Sequence, residues 1–325
     1  MGLNRSLIGR VMNVAILASV FIIAAVSAVV YGMTFKQIRE FRLERLEERT
    51  TAKAHEQMAV FEQLDTILTQ ARQVYKATAA ELDAEGQREL FEQAFPPFGD
   101  GTRRSTSELF NGTIDREGRA VEGIGGFIPD ASSVEDQRLI NVMAGYDIVR
   151  TVGPSLDYPF TDFWFFSADG DVIVYAPQST DALASYRQEL PANYDLTSEP
   201  IAALARPQLN PDRRLQCADI APMANRPRRG RQTLTSRCQI PVDDADGRYI
   251  GSIGTTVLLS DWLRETVRLP DKAGFRYMVV SPEFGLLAHT NFGDRPDAGL
   301  RAALSEAEGV PELQRRLTGE SGAFL

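Results

Sequence analysis

A charge-free apolar segment near the N-terminus constrains this 325-residue chain more than any other feature. Positions 11–35 contain no Asp, Glu, Lys or Arg, and the run from Val14 to Tyr31 is almost entirely apolar. A helix of about 20 apolar residues crosses the hydrocarbon core of a bilayer, whereas the apolar part of a signal peptide is shorter. A cleaved signal peptide, with a small-residue site at Val26–Ala28, is the alternative. The length favours an uncleaved transmembrane helix over 11–33.

The composition excludes several classes of protein. The chain has 44 Asp and Glu against 35 Lys and Arg, a net charge of -9, which argues against a nucleic-acid partner because such binding depends on basic surface. Two His and two Cys are too few for a His-rich metal site, an iron–sulfur protein or a disulfide scaffold. We find no catalytic motif and expect neither a metal nor a cofactor.

The two cysteines are 21 positions apart, at Cys217 and Cys238. They could be two small buried thiols, which is common for free Cys. In an oxidising compartment a disulfide is favoured, and closing a loop of this size would contribute roughly 3 kcal/mol in the loop-entropy treatment. We therefore predict a Cys217–Cys238 bond.

The pattern of residues 34–93 predicts one long α-helix that leaves the membrane. This range has no Pro and one late Gly, and Phe95-Pro96-Pro97 ends it. Apolar residues recur in it at alternating spacings of three and four, a heptad seam: Phe61, Leu64, Leu68, Ala71 and Tyr75. The seam could pack against a partner helix in a homodimer or against its own domain, and the pattern does not choose between them.

The segments that follow predict a helix and then antiparallel strands. Ser132–Val152 has apolar residues on one helical face. Aromatic and β-branched runs flank Asp169-Gly170, and a second pair of such runs, 232–242 and 249–259, flanks Asp246-Gly247. Asp-Gly between two such runs is a strong hairpin signal. A similar pattern begins again at 275–281 and 286–289, and we expect residues 271–325 to be the incomplete start of a second module.

As a group, these segments resemble a Cache sensor region, the PAS-like extracytoplasmic ligand domain of bacterial receptors. The resemblance is carried by a few stretches of sequence: Phe163–Pro177 (FWFFSADGDVIVYAP), Leu209–Arg214 (LNPDRR), Ile240–Leu263 (IPVDDADGRYIGSIGTTVLLSDWL) and Gly274–Thr290 (GFRYMVVSPEFGLLAHT). It implies an α+β fold with a transmembrane helix, a long membrane-exiting helix, a first antiparallel module over 94–270, and the start of a second over 271–325.

The resemblance also implies a function and a location. Residues 1–10 would lie in the cytoplasm, and the chain from about residue 34 in the periplasm, with the span in the cell inner membrane. Proteins of this kind sense a small molecule and form homodimers. Their output lies in a further domain, most often a histidine kinase, with a diguanylate cyclase or a chemotaxis receptor as alternatives. A membrane-anchored module that binds a solute or a protein without any output is a further alternative, and enzymatic activity stays open.

A pocket of this type is expected on one face of the sheet, under the helices and loops that cover it. Aromatic side chains would form its walls, Arg would bind a carboxylate, and Asp would bind an amino group. The ligand would then be anionic or amino acid-like. The candidate ligand-binding residues are Trp164, Tyr175, Tyr186, Arg187, Tyr194, Asp195 and Arg237.

Overall fold

The computed structural model describes residues 3–115, 118–131, 134–178, 183–222, 233–267, 278–280, 286–289, 305–307 and 309–310. The chain divides into two compact units, Met1–Phe61 and Glu62–Leu325, which are described separately. Helix α1, Leu3–Glu81, is continuous through the division. The predicted mixture of helices and antiparallel sheet is confirmed.

The first unit contains the N-terminal part of α1. Apolar side chains such as Leu17 and Phe21 are 69% and 76% exposed there. Within the described residues, one helix is long and apolar enough to cross a membrane, with a mean hydropathy of 2.4 in its most apolar window. The predicted span over 11–33 lies in this helix, and exposed apolar side chains are what a lipid environment requires of it.

The long helix ends earlier than predicted. Helix α1 stops at Glu81 and a separate helix α2 runs over Ala84–Ala94, so the expected single helix to residue 93 is wrong at its end. Asp83 causes the break because it has an extended backbone and its carboxylate accepts a hydrogen bond from the Gly86 N–H at 2.8 Å. A side chain that satisfies the first N–H groups of a new helix favours starting that helix there.

In the second unit, the C-terminal part of α1 packs against its own domain. Leu64, Leu68, Ala71 and Tyr75 are each at most 2% exposed. The Tyr75 ring stacks on Phe165 at 5.2 Å between centroids. Four positions of the predicted seam are therefore occupied within the chain, and a partner helix would have to use other positions.

The centre of the second unit is an eight-stranded antiparallel sheet in the order β1-β4-β6-β5-β10-β9-β7, with β8 also paired to β9. Its strands are β1 (Arg103–Arg104), β4 (Ile124–Ile128), β5 (Phe163–Ser167), β6 (Val172–Tyr175), β7 (Gln216–Cys217), β8 (Ala221–Pro222), β9 (Leu234–Asp243) and β10 (Tyr249–Leu258). A separate two-stranded sheet consists of β2 (Thr113–Ile114) and β3 (Ala120–Val121).

Short helices connect and cover these strands. They are α3 (Ser107–Asn111), α4 (Asp136–Val152), α5 (Pro200–Leu204) and α6 (Ser260–Val267), with 3-10 turns at Gly153–Ser155 and Leu196–Ser198 and a π-helical turn at Ser185–Glu189. Helix α4 starts four residues later than predicted. Both predicted Asp-Gly hairpins, β5–β6 and β9–β10, are present.

The sheet has two differently covered faces. On the helix face, Phe165 lies against Tyr75 and against Gly145 of α4, where an added Cβ would come within 2.3 Å of the Phe165 ring. On the loop face, Trp164 and Val174 join a buried cluster with residues of the covering segment 183–204. Successive side chains of a strand point to opposite faces, so residues two positions apart in a strand lie on the same face.

The predicted second module is represented in the described residues mainly by one hairpin. Strands β11 (Met278–Val280) and β12 (Leu286–His289) pair antiparallel, as the repeated pattern predicts. The predicted boundary at residue 270 and the remainder of 271–325 lie outside the described residues, apart from 305–307 and 309–310.

Candidate functional site

The floor of the candidate site is the loop face around Trp164. This side chain is 3% exposed and its ring stacks on Phe166 at 4.3 Å. The register places Gly254 of β10 opposite Trp164, and a Cβ at Gly254 would lie 2.3 Å from the indole Cζ2. The indole therefore packs directly against the Gly254 backbone, a close approach that only glycine permits. Trp164 is thus held by packing from the sheet and from Phe166.

Next to Trp164, the partly buried carboxyl of Asp162 and the guanidinium of Arg237 lie on either side of strand β10. The backbone N–H of Thr256 donates to Asp162 Oδ1 at 2.6 Å, and Thr256 is paired in register with Arg237 of β9. Burial raises the pKa of Asp162 to about 6, although hydrogen bonds from Thr256 and the positive charge of Arg237 oppose the shift. A carboxyl with such a pKa changes charge near neutral pH.

The covering segment adds a second carboxylate and two phenols. Glu199 Oε2 lies 4.0 Å from Arg237 Nη1, and its Oε1 accepts a hydrogen bond from the Tyr194 hydroxyl. Burial raises the pKa of Tyr186 to about 12, and the negative charge of Asp162 adds to the shift. The Glu199–Arg237 pair shows that the covering segment and the sheet meet here.

Gln239 completes the floor with one unused acceptor. Its side chain is fully buried, and its Nε2 donates to the backbone carbonyl of Ile201 in α5. Its Oε1 has no hydrogen-bond partner among the described residues. A buried polar atom without a partner costs free energy, so a donor supplied by a ligand or a water would stabilise this position.

A cavity of about 440 Å³ opens beside Asp162 at this end of the sheet. Its lining includes Asp162 and Thr161 and, from the other side, Tyr175 and Pro177. Cavities of some 300–1,000 Å³ are usual for small-molecule sites in proteins. The volume is ample for a molecule the size of an amino acid.

The structure brings together four of the seven predicted residues: Trp164, Tyr186, Tyr194 and Arg237. Tyr175 does not share a wall with Trp164, because it pairs with Phe163 and so lies on the helix face, with its ring against Gly153. It reaches only the cavity at the sheet end.

Two other predicted residues have local roles. The Asp195 side chain is exposed and accepts hydrogen bonds from the Thr197 N–H and hydroxyl at 2.9 and 2.6 Å. These hydrogen bonds lower the pKa of Asp195. Arg187 lies over the Phe110 ring at 5.1 Å. Its Nε is buried without a hydrogen-bond partner among the described residues. The carboxylates that the structure places near Arg237 are Asp162 and Glu199.

Sequence reasoning missed both of these carboxylates. The sequence contained a signal that Asp162 belongs to the site. Asp162 precedes Trp164 by two residues, and strand alternation places both side chains on one face. Glu199 had none, since it follows a 3-10 turn and only the fold brings it to Arg237. Gln239 could have been found by the same alternation from Arg237.

The two cysteines are joined in the structure. Cys217 of β7 and Cys238 of β9 are paired in register and form a disulfide bond. The bond ties the strand that carries Arg237 to the short edge strand that follows the covering segment. It thus holds the segment close to the sheet.

Comparisons with known proteins were made by family, by sequence and by structure. No protein-family model matches the chain, and the search of curated proteins found no match. One solved structure that matches part of the chain is the ligand-binding domain of the Pseudomonas aeruginosa PAO1 amino acid chemoreceptor PctC with GABA. The match has 17% identity and a TM-score of 0.32, and it covers 54% of this chain and 64% of that one. Another is that of PctB from the same organism with L-Gln, at 18% identity and a TM-score of 0.33, covering 51% and 58%.

A third is the sensory domain of a Campylobacter jejuni chemoreceptor with isoleucine bound, at 14% identity and a TM-score of 0.31, covering 77% of this chain and 82% of that one. In the two Pseudomonas comparisons the match spans less than two thirds of the solved chain. All three are ligand-binding or sensory domains of bacterial chemoreceptors.

Proposed function

We propose that the chain is the small-molecule-sensing region of a bacterial membrane receptor. In this proposal, residues 11–33 cross the inner membrane, residues 1–10 are cytoplasmic, and the chain from about residue 34 is periplasmic. One observation carries it: Glu199 pairs with Arg237, the charge of Arg237 acts on Asp162, and Asp162 in turn lines a cavity of about 440 Å³.

The charges of the cluster define the ligand class. Arg237 can bind a carboxylate through two parallel N–H donors, and its ion pair with Glu199 at 4.0 Å is loose enough to be replaced. Asp162 and Glu199 can bind an ammonium group. A small molecule with both groups, such as an amino acid, satisfies all three side chains, so we assign the site to an amino acid-like ligand.

Binding would be coupled to helix α1. Tyr75 of α1 packs on Phe165, the neighbour of Trp164 in β5. A ligand that shifts β5 therefore moves a residue that contacts α1, and α1 is a single helix from Leu3 to Glu81. Differential affinity for two arrangements of this contact is what a receptor needs in order to signal.

The output domain is a separate part of the proposal. We propose a histidine kinase, with a diguanylate cyclase or a chemotaxis receptor as alternatives, acting as a homodimer. The coding sequence that follows codon 325 tests this. An H-box with ATP-binding motifs supports the kinase, a GGDEF motif or a chemotaxis signalling domain replaces it, and an immediate stop codon leaves a membrane-anchored binding module.

The ligand assignment is tested by calorimetric titration of the full chain in lipid nanodiscs with amino acids and organic acids. We expect at least one amino acid to bind, and Arg237→Gln to weaken that binding by at least tenfold. The control is Arg214→Gln, since the Arg214 side chain is 80% exposed and pairs only distantly, at 3.9 Å, with Asp212. Binding by no amino acid, or equal losses in both variants, would contradict the assignment.

A further inference from the structure

A second cavity, of about 520 Å³, lies at the other end of the central strands. It opens where the β5–β6 and β9–β10 hairpins turn, and Ser167 lines it. Asp162 and Ser167 are five residues apart along an extended strand, about 17 Å at the usual rise per residue. The cavity is therefore separate from the site around Asp162.

Three arginines line this cavity, and none of the described residues in its lining is an Asp or Glu: Arg206, Arg213 and Arg248. They come from two loops: Arg206 and Arg213 lie in the connection between α5 and β7, and Arg248 lies in the β9–β10 turn. Two carboxylates outside the lining, Asp243 and Asp244, form ion pairs with Arg213 and Arg248, and the charge of Arg206 contributes to the lowered pKa of Asp195. Thr197, Ser167 and Tyr249 add hydroxyl groups to the same wall.

Each of the three guanidinium groups has N–H donors that no described residue accepts from. Arg213 uses Nε on Asp243 at 2.8 Å and Nη1 on the Asn210 carbonyl at 3.3 Å. On described residues, Arg248 uses only Nε, on Asp244 at 3.0 Å, and Arg206 only Nη2, on the Thr197 carbonyl. Because a guanidinium has five N–H donors, each has at least three more for a ligand.

Charges of both signs act on Tyr249. Burial raises the pKa of its phenol, the charge of Asp243 adds to that rise, and the charges of Arg206 and Arg213 oppose it. An anionic group in the same place would be stabilised by these two charges in the same way.

The loop that presents Arg213 is held in a strained, well-fixed shape. Arg213 has a φ of 56°, which is uncommon for a residue other than glycine. The Asn210 side chain, 1% exposed, accepts from the Arg214 N–H at 3.0 Å and donates to the Arg214 carbonyl at 2.7 Å. Strain of this kind persists where surrounding contacts enforce it and is frequent at ligand sites.

The same residue connects the cavity to the long helix. Arg72 of α1 donates from Nη1 to the backbone carbonyl of Arg213 at 3.0 Å. A ligand that pulls the Arg213 guanidinium therefore acts on a residue whose carbonyl is hydrogen-bonded to α1.

We propose that this cavity is a second ligand site, for a phosphate-type oxyanion, and that the Arg72–Arg213 contact couples it to α1. Three separate guanidiniums suit an anion with several oxygens around one centre, because each can bind a different oxygen. The volume admits inorganic phosphate as well as the phosphate group of a small organic monoester. The site is independent of the amino acid-like ligand assigned to Asp162 and Arg237.

The binding test is a calorimetric titration of the full chain in nanodiscs at constant ionic strength. Inorganic phosphate and glycerol 3-phosphate are the probes, and glycerol is the neutral control. We expect phosphate to bind, and Arg206→Gln combined with Arg248→Gln to weaken it at least tenfold. The Arg214→Gln control should stay within twofold, and unchanged circular dichroism verifies folding of each variant.

The two probes distinguish an organic phosphate from the free phosphate ion as the ligand. Tighter binding of glycerol 3-phosphate than of phosphate identifies an organic phosphate as the ligand class, and the reverse identifies the free ion. No binding of either probe, or an equal loss in the Arg214→Gln control, overturns the proposal. Arg237→Gln should leave phosphate binding unchanged, which separates this site from the proposed amino acid site.

The coupling is tested by hydrogen exchange of α1 residues 62–81 with and without phosphate. Phosphate should slow exchange in the wild-type chain. In Arg72→Gln, phosphate should still bind within twofold of wild type but no longer slow exchange in this segment. An equal effect of phosphate in both proteins would show that Arg72 does not carry the coupling.

Discussion

Replacing Asp162 by Asn should make the unliganded protein more stable at neutral pH. Asp162 is partly buried, two residues before Trp164, and desolvation raises its pKa from 3.8 to about 6 despite the hydrogen bonds from Thr256 and the attraction of Arg237. Asn has nearly the same shape and can accept the Thr256 N–H at the same oxygen. The substitution therefore removes a charge and keeps the hydrogen bond.

The magnitude follows from the shift in the Asp162 pKa. A shift from 3.8 to about 6 corresponds to about 3 kcal/mol, at 1.36 kcal/mol per unit. Between these pH values the folded protein binds more protons than the unfolded chain, so the stability of the wild type falls as pH rises through this window. The Asn variant has no such fall, and its advantage over wild type should grow by about 2.4 of these 3 kcal/mol between pH 4 and pH 7.

The assay is thermal unfolding of the full chain in nanodiscs, followed by tryptophan fluorescence from pH 4 to pH 7. For a unit of this size, 3 kcal/mol corresponds to a change of about 6–12 °C in the melting temperature. Asp195→Asn is the control, because the pKa of this exposed carboxyl is lowered and the sign of its pH dependence is opposite. A difference between Asp162→Asn and wild type that stays constant across the pH range would refute the reasoning.

Two further substitutions test the packing of the same region. Gly254→Ala should destabilise the second unit by about 2–3 kcal/mol, because the new Cβ would lie 2.3 Å from Trp164; Gly99→Ala, with open space around it, should change the melting temperature little. Replacing Cys217 and Cys238 together by Ser should cost roughly 3 kcal/mol in urea unfolding, and a loss below about 0.5 kcal/mol would mean that the bond does not stabilise the fold.

Local signals predicted the parts of the sheet that local chemistry controls. Asp169-Gly170 and Asp246-Gly247 stand at the turns of two observed hairpins, and Gly170 and Gly247 both have a positive φ that glycine accepts without strain. Such turns form between neighbouring residues, so the sequence on either side suffices to predict them.

Register and face were not predictable in the same way. Trp164 and Tyr175 belong to the same hairpin, but its loop pairs Trp164 with Val174 and therefore puts Tyr175 on the opposite face. A loop one residue longer or shorter would have reversed this assignment. The expected pair of aromatic walls depended on that detail of the turn.

The end of the long helix shows the same limit on a smaller scale. The heptad pattern predicts an apolar face of the helix, and four residues of that face are buried. The stop at Glu81 depends on Asp83, whose carboxylate satisfies a backbone N–H of the next helix. Asp favours N-cap positions, but other acidic residues surround Asp83, so its capping role is visible only once the backbone direction is known.

The sequence by itself determined the apolar helix, the two hairpins and the pairing partners available to the two cysteines. These depend on hydrophobic length, turn chemistry and composition, which are local properties. Only the tertiary structure decided that Asp162, Glu199 and Arg237 meet. They lie far apart in the chain, and the pairing of β10 with both β5 and β9, together with the fold of the covering segment, brings them to one face. Contacts between distant residues result from packing the whole sheet, which no single stretch of sequence specifies.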